Sequence, residues 1–388
     1  MVQEFRYKYP QLWRKMDILC HGIAMDNNGV LDSLYHAQNP RDTKRTGNAG
    51  LQVKLDNGTL PLNVAVFKKF SEHSPYKFFD NNTLLDTRDE FCIPVYCPPS
   101  CPDWYMIPVG DDIVASDRVL LEGDFTAITS ITKGCIYFNK KQQCEFCALG
   151  DELINKKEIL DWENQVKSSL VAAARDPNIL NIHLTGGNTL SSDRGASQYY
   201  EIIECVREAN PQQRIAIEIP PPEPSCQEKV FTELKTLGAD SITLNIEFWD
   251  DEVRKKLMPI KGAFSRDEYI SAFKAALQIF GKNKVSCGFI IGIEPLSKTK
   301  EATKILTAMG IIVEVYPFKP NDGCKMENEP PCDTDSVIDI SLFADYLMKE
   351  FDIHPDQTSG CVKCGACGIT QELLSILNLK GELSCIQK

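Results

Sequence analysis

From about residue 120 onward the chain alternates six times between a short β-branched run and an amphipathic helical stretch, and this repetition restricts its fold more than any other feature. The pairs are DFTAITSIT with DWENQVKSSLVAAARD, NIHLTGG with ASQYYEIIECVREA, RIAIEIPPP with SCQEKVFTELKTLG, SITLNIEF with RDEYISAFKAALQIFG, KVSCGFIIGIE with KTKEATKILTAMG, and IIVEVYPFKP with SVIDISLFADYLMKEF. Such alternation predicts parallel strands with helices on their outer face. Six units over about 230 residues are too few for a closed eight-stranded barrel and predict an α/β fold built on an open, partial (βα)6 barrel of TIM type. Functional groups then belong at the C-terminal ends of the strands. Gly186 and Gly187, Glu218 and Pro220, Glu247, Gly292 and Glu294 all fall on that one rim.

The flanks read differently. Residues 1–119 carry short strand-like pieces, LQVKL and LPLNVAVF, between loops rich in Asn, Asp, Gly and Pro, and are expected to form an N-terminal α+β lobe. The barrel is expected over 120–350, and 351–388 is a small Cys-rich extension ending in a helical pattern. With 388 residues, 43% hydrophobic and 25% charged, the chain has the composition of an ordinary soluble protein with one large core. The opening MVQEFRYKYPQLWRK has no apolar run of signal-peptide length, and no stretch reaches the roughly 18 apolar residues of a membrane span, so a cytoplasmic location is expected. A net charge of −12 opposes attraction to phosphate backbones, and no basic stripe is interleaved with aromatics, which disfavours nucleic acid as a partner.

Chemistry enters with GCIYFNKKQQCEFCALG, which follows the first predicted strand and holds Cys135, Cys144 and Cys147. Three thiolates with Phe146 wedged into the last pair suit a cubane iron–sulfur cluster with one iron left open, and such an iron chelates a small molecule through an amine and a carboxylate, the pair that S-adenosylmethionine (SAM) offers. A zinc site would need a second cysteine pair nearby, which the adjoining segments lack. Buried, unligated thiols are the third reading. Sixteen cysteines in a reducing compartment favour metal binding for the clustered ones.

This segment resembles the cluster loop of the radical SAM superfamily, which also follows the first barrel strand and often ends in Cys, any residue, an aromatic, Cys. The usual spacing puts three residues between the first two cysteines, whereas here there are eight. The resemblance implies a SAM-binding [4Fe–4S] cluster. It also implies that Gly186, Gly187 and Asn188 receive the methionine amino group, with Asn where the family has Glu. Gly288, Gly292 and Ile293 would pack against adenine, and Glu247 would meet the ribose hydroxyls or the methionine carboxylate. Arg254 and Arg266 are candidate partners for that carboxylate, with a surface ion pair as the alternative, and Glu218 serves cofactor or substrate.

Cys361, Cys364 and Cys367 in SGCVKCGACG have the spacing of an iron–sulfur ligand run, which predicts an auxiliary [4Fe–4S] cluster with Cys324, Cys332 or Cys385 as a fourth ligand, or an iron open to substrate. Cys92, Cys97 and Cys101 are read as structural thiols. Five segments, SPYKFF, CEFCALG, HLTGGNTLSSDRGA, NIEFWDDEVRKKLMPIKG and GCVKCGACG, together resemble a biotin synthase-like radical SAM family encoded beside nitrilases. This implies an enzyme that cleaves SAM to a 5′-deoxyadenosyl radical and abstracts hydrogen from a small molecule, fed by a reductant such as flavodoxin or ferredoxin. The auxiliary cluster would assist by oxidation, substrate binding or sulfur donation. The competing reading is a non-catalytic iron–sulfur or zinc-stabilised protein for electron transfer or interaction.

Overall fold

The N-terminal region opens with helices α1 (Val2–Lys8), α2 (Pro10–His21) and α3 (Val30–Gln38). A five-stranded antiparallel sheet follows, with β1 (Gly50–Leu55), β2 (Leu62–Ala65), β3 (Tyr76–Asp80), β4 (Thr83–Asp86) and β5 (Phe91–Tyr96) in the order β2-β1-β5-β4-β3, and the short helix α4 (Lys68–Ser71) between β2 and β3. The pieces LQVKL and LPLNVAVF become β1 and β2, paired from Gly50 with Ala65 to Val53 with Leu62. A ribbon of β6 (Pro108–Gly110) and β7 (Ile113–Val114) leads into the second sheet. The computed structural model describes residues 2–24, 29–40, 50–55, 59–66, 68–98, 100–150 and 156–376. Among these, no helix is long and apolar enough to cross a membrane.

The second sheet has seven strands in sequential order: β8 (Leu120–Glu122), β9 (Thr126–Ser130), β10 (Asn181–Thr185), β11 (Arg214–Glu218), β12 (Ser241–Thr243), β13 (Val285–Ile291) and β14 (Ile312–Pro317). From β9 to β14 every pairing is parallel, as the six-fold alternation predicted, while β8 adds antiparallel to β9 at the edge. Unpaired with each other, β8 and β14 leave the partial TIM-type barrel open along one side. After β9 come α5 (Ile136–Asn139) and α6 (Lys156–Ala174), then α7 (Tyr200–Ala209) and α8 (Gln227–Leu237). Two helices follow β12, α9 (Asp251–Leu257) and α10 (Arg266–Phe280), where the sequence suggested only the second. Each has its own start signal: Asp250 accepts from the N–H groups of Glu252 and Val253, and Ser265 forms a capping box with Glu268. Finally α11 (Leu296–Ala308) and α12 (Thr334–Glu350) complete the outer layer.

The Cys-rich extension closes the barrel from below. Ser359 shares a 2.6 Å hydroxyl contact with Ser241 at the start of β12, Arg214 at the start of β11 donates to the Thr358 carbonyl, and Asn283 just before β13 donates to Gln357. The chain then turns through α13 (Cys361–Cys364) and α14 (Thr370–Ile376). On one side a Cβ on Gly123, after β8, would lie 3.0 Å from Cys364 Sγ; on the other, one on Gly368 would lie 3.6 Å from the Val315 carbonyl of β14. The extension therefore spans the open seam at the N-terminal ends of the strands. One apolar core runs from Trp13 and Met16 through Ile182, Ile217 and Phe289 to Val362 and Leu373.

Two buried polar ties lock these parts together. Lys15 of α2, fully buried, holds the extension by donating to Gly365 O (2.9 Å) and pairing with Glu372 (2.5 Å). Asp17 accepts from Thr334 at the start of α12 (2.5 Å), from Arg88 (2.6 Å) and from Tyr76. Burial alone would raise the Asp17 carboxyl, but bonds from His21, Thr334, Tyr76 and Arg88 outweigh it and hold the group well below the ordinary carboxylate range.

Lys15→Met strands a buried carboxylate and is expected to cost about 3–5 kcal/mol in urea unfolding, with most of that recovered in the Lys15→Met/Glu372→Leu double variant. Because Asp17 is depressed in the folded state, its contribution is present above the unfolded value near pH ~4 and is lost as pH falls through the folded value. Asp17→Asn should therefore lower stability at neutral pH and flatten the stability curve below about pH 4, measured by thermal melts across that range.

Candidate functional site

The upper rim of the barrel brings the first cysteine triplet against the β10 turn. The Asn188 N–H donates to Cys135 Sγ (3.4 Å), the Ile136 N–H returns a bond to Asn188 O (3.3 Å), and Leu149 N–H donates to Cys147 Sγ (3.5 Å). Gly187 is required here by space: a Cβ would lie 2.1 Å from Gly134 O and 2.7 Å from the Cys135 Cα. Phe146 meets Phe248 edge to face with centroids 5.6 Å apart, and Cys144 packs on the same small apolar cluster. Burial pushes the Cys144 thiol well up and Cys147 to about 11, both with Lys261 as a counteracting charge. Desolvated thiols that receive N–H donors are suited to a metal that replaces their protons. Among the described residues no three His, Cys, Asp or Glu side chains converge tightly enough for a single ion. Three cysteine thiols with N–H donors on two of them and a lysine beside them are a donor set of the kind that holds an iron–sulfur cluster.

The second triplet, Cys361, Cys364 and Cys367, stands at the opposite end of the barrel, and Cys361 and Cys367 line the same cavity of about 720 Å³ as Cys135, Cys144 and Cys147. That volume is in the range of cofactor-sized sites. Burial raises all three thiols, Cys367 to about 11. Gly360 brings the extension against β10 and β11, since a Cβ there would lie 2.4 Å from the Ala216 Cβ and 2.6 Å from His183 Nδ1, and Cys361 N–H donates to that nitrogen (3.4 Å).

Polar side chains at alternate strand positions form the wall between the triplets. Nδ1 of His183 accepts from Cys361, so Nε2 carries the proton and donates to Glu218 Oε2 (3.3 Å). Burial opposes charge on Glu218, but this bond prevails and holds its carboxyl below the ordinary range. Asn245 accepts from Gly288 N–H (2.7 Å), and Tyr316 donates to Glu314. Glu314 is raised to about 7 by burial, with its Oε1 unbonded. Glu247 lies in the left-handed region at φ 67° and pairs with Lys261 at 2.7 Å. Lys261, His183, Asn245, Tyr316 and Lys319 escaped the sequence reading. Period-two polarity within strands otherwise reading as buried was the signal available for His183, Asn245 and Tyr316.

Several rim residues serve the scaffold instead. Arg254 is buried beside α10, with Nη2 donating to Phe264 O (2.6 Å), and Arg266 pairs with Asp251 (2.8 Å) over the Trp249 ring. Neither lines the cavity. Glu294 accepts the Trp249 and Asp250 N–H groups (2.7 and 2.9 Å). Gly288 gives room to Asn245 and Tyr316, Gly292 (φ 110°) gives room to Cys332, and Ile293 packs on the Phe248 cluster. Gly186 lines the cavity and faces Ile131. Cys324 is not brought to the lower triplet: its neighbour Lys325 bonds Glu145 through both backbone and side chain (2.9 and 2.6 Å), which holds this loop over the upper triplet. Cys332 contacts Cys20, and Cys385 lies outside the described residues. Cys92 is exposed while Cys97 is buried.

No curated protein matches this chain. Solved structures similar to it include methylornithine synthase (19% identity, TM-score 0.45, covering 60% of this chain and 63% of that one). Two others are the FeFe-hydrogenase maturase HydG from Carboxydothermus hydrogenoformans (18%, 0.43, 58% and 52%) and Streptococcus suis SuiB bound to S-adenosylmethionine (15%, 0.42, 63% and 53%). The chain thus spans less than two thirds of the length of each. Residues 129–303, from β9 into α11, match the model of the Radical SAM superfamily, and the chain carries a radical SAM domain.

Proposed function

We propose that this protein is a radical SAM enzyme with two [4Fe–4S] clusters that acts on a small molecule held between them, on the biotin synthase-like pattern and in the cytoplasm, with flavodoxin or ferredoxin as reductant. The observation that supports this most is the opening of both cysteine triplets onto one cavity from opposite ends. When bound, the reduced upper cluster supplies the electron that cleaves SAM to methionine and a 5′-deoxyadenosyl radical, and the lower one supplies an electron acceptor, a substrate anchor or sulfur.

The chain's own residues do the rest. Cys135, Cys144 and Cys147 ligate the upper cluster, and the N–H donors of Asn188 and Leu149 stabilise thiolate charge on Cys135 and Cys147. Lys261 and Glu247, beside this triplet, receive the carboxylate and ammonium ends of the methionine moiety, exchanging their mutual ion pair for two with the cofactor. Phe146 and Phe248 keep water from the upper end, and the extension keeps it from the lower. His183, Glu218 and Asn245 orient the substrate between them.

Anaerobically reconstituted protein should hold about eight irons, and Cys135→Ala and Cys361→Ala about four each. With dithionite and SAM, the wild type should release 5′-deoxyadenosine and Cys135→Ala none. A fully loaded wild type that releases none would instead favour a non-catalytic electron-transfer role. Lys261→Met should weaken SAM binding ~10- to 100-fold by calorimetry, as expected on losing a charged hydrogen bond, with iron content unchanged.

A further inference from the structure

Three thiols leave one iron of the lower cluster without a cysteine, and this inference rests on the two-cluster reading above. Among the described residues no other cysteine is brought there, but Glu122 is. The antiparallel β8 runs down to the start of β9, pairing Glu122 with Thr126 and carrying Glu122 to the level of the extension. Glu122 lines the cavity together with Cys361 and Cys367, and its successor Gly123 packs on Cys364. The Glu122 charge adds to burial in raising each of the three thiols.

The carboxylate is 3% exposed. Its Oε1 accepts from Asn63 Nδ2 (2.9 Å), and Asn63 is fixed by donating its own N–H to the carbonyl of Ala366, between two of the cysteines. Among the described residues Oε2 has no hydrogen-bond partner, and no lysine or arginine pairs with Glu122. A buried carboxylate with a free oxygen is costly unless it takes up a proton, pairs with a cation or binds a metal. We propose that Glu122 is the fourth ligand of the cluster held by Cys361, Cys364 and Cys367, bound through the oxygen that Asn63 leaves free. Asn63 orients the ligand as an outer-shell donor, while Lys15 and Lys319 near Cys367 offset the added negative charge. A carboxylate is a harder donor than thiolate and binds iron–sulfur clusters less tightly, so this corner is the one a substrate can displace.

The test uses the full-length chain with Cys135, Cys144 and Cys147 all changed to Ala, so that reconstitution fills the lower site alone. Glu122→Gln and Glu122→Cys are made in that background, and iron content and electron paramagnetic resonance are read after mild oxidation and after dithionite reduction. The parent should keep about four irons; Glu122→Gln, which retains size and the Asn63 bond, should lose about one on oxidation and show a three-iron signal. Glu122→Cys should restore four and shift the reduced spectrum. Four irons with the parent's spectra in Glu122→Gln overturn the proposal, as does an unchanged reduced spectrum in Glu122→Cys, which decides the matter if Glu122→Gln does not fold. A parent that holds no iron fails the two-cluster reading itself, and the proposal with it, whereas iron in the parent with no response to Glu122 fails only the proposal.

Discussion

An open barrel has to be closed by something, and in this protein the closing element is the Cys-rich extension. Six parallel strands and one antiparallel edge strand cannot pair end to end, so the interior would be wet along the seam between β8 and β14 and at the strand starts. Ser359, Gln357 and Thr358 cover the starts of β11, β12 and β13, while Cys364 and Gly368 reach β8 and β14. Lys15 holds this plug from the N-terminal region through one buried ion pair and one carbonyl. Removing water from the interior strengthens every electrostatic interaction there and gives the cavity a definite floor.

That enclosure explains the electrostatics of the wall. Burial disfavours charge on the thiols and on Glu122 and Glu314, and each compensation has a named partner: His183 for Glu218, Glu247 for Lys261, Asn63 for Glu122. The compensation is incomplete at Glu314, whose Oε1 is buried without a hydrogen-bond partner, and at Glu122, where Asn63 serves only Oε1. The upper half is better satisfied, with N–H donors on Cys135 and Cys147 and a closed ion pair beside them.

Much of the fold was legible because each barrel unit announces itself locally. Buried runs such as Val285–Ile291 have few polar residues, helices such as α10 begin with a capping box, and the order of the units dictates a sequential parallel sheet. The strand β8 was not legible, since Leu120–Glu122 is too short for periodicity to register, and α9 was hidden in a stretch read for its chemistry. Among rim residues, Glu294 and Arg254 fall with the site by position along the chain, and their partners are set only by the fold. Each is consumed by backbone groups of neighbouring elements, the N–H of Trp249 and Asp250 for one and the carbonyl of Phe264 for the other.

The sequence by itself determined the barrel, the two cysteine triplets and the glycine turn that meets the first of them, because strand alternation and ligand spacing are local properties of the chain. Only the tertiary structure decided that the triplets share one cavity, that the loop of Cys324 is tied to Glu145 and not to the lower triplet, and that Glu122, His183 and Lys261 line that cavity. Those facts depend on how the extension folds back beneath the strands and on which alternate positions turn inward. Neither is fixed until residues more than a hundred apart in the chain, such as Lys15 and Glu372 or Ser241 and Ser359, come into contact.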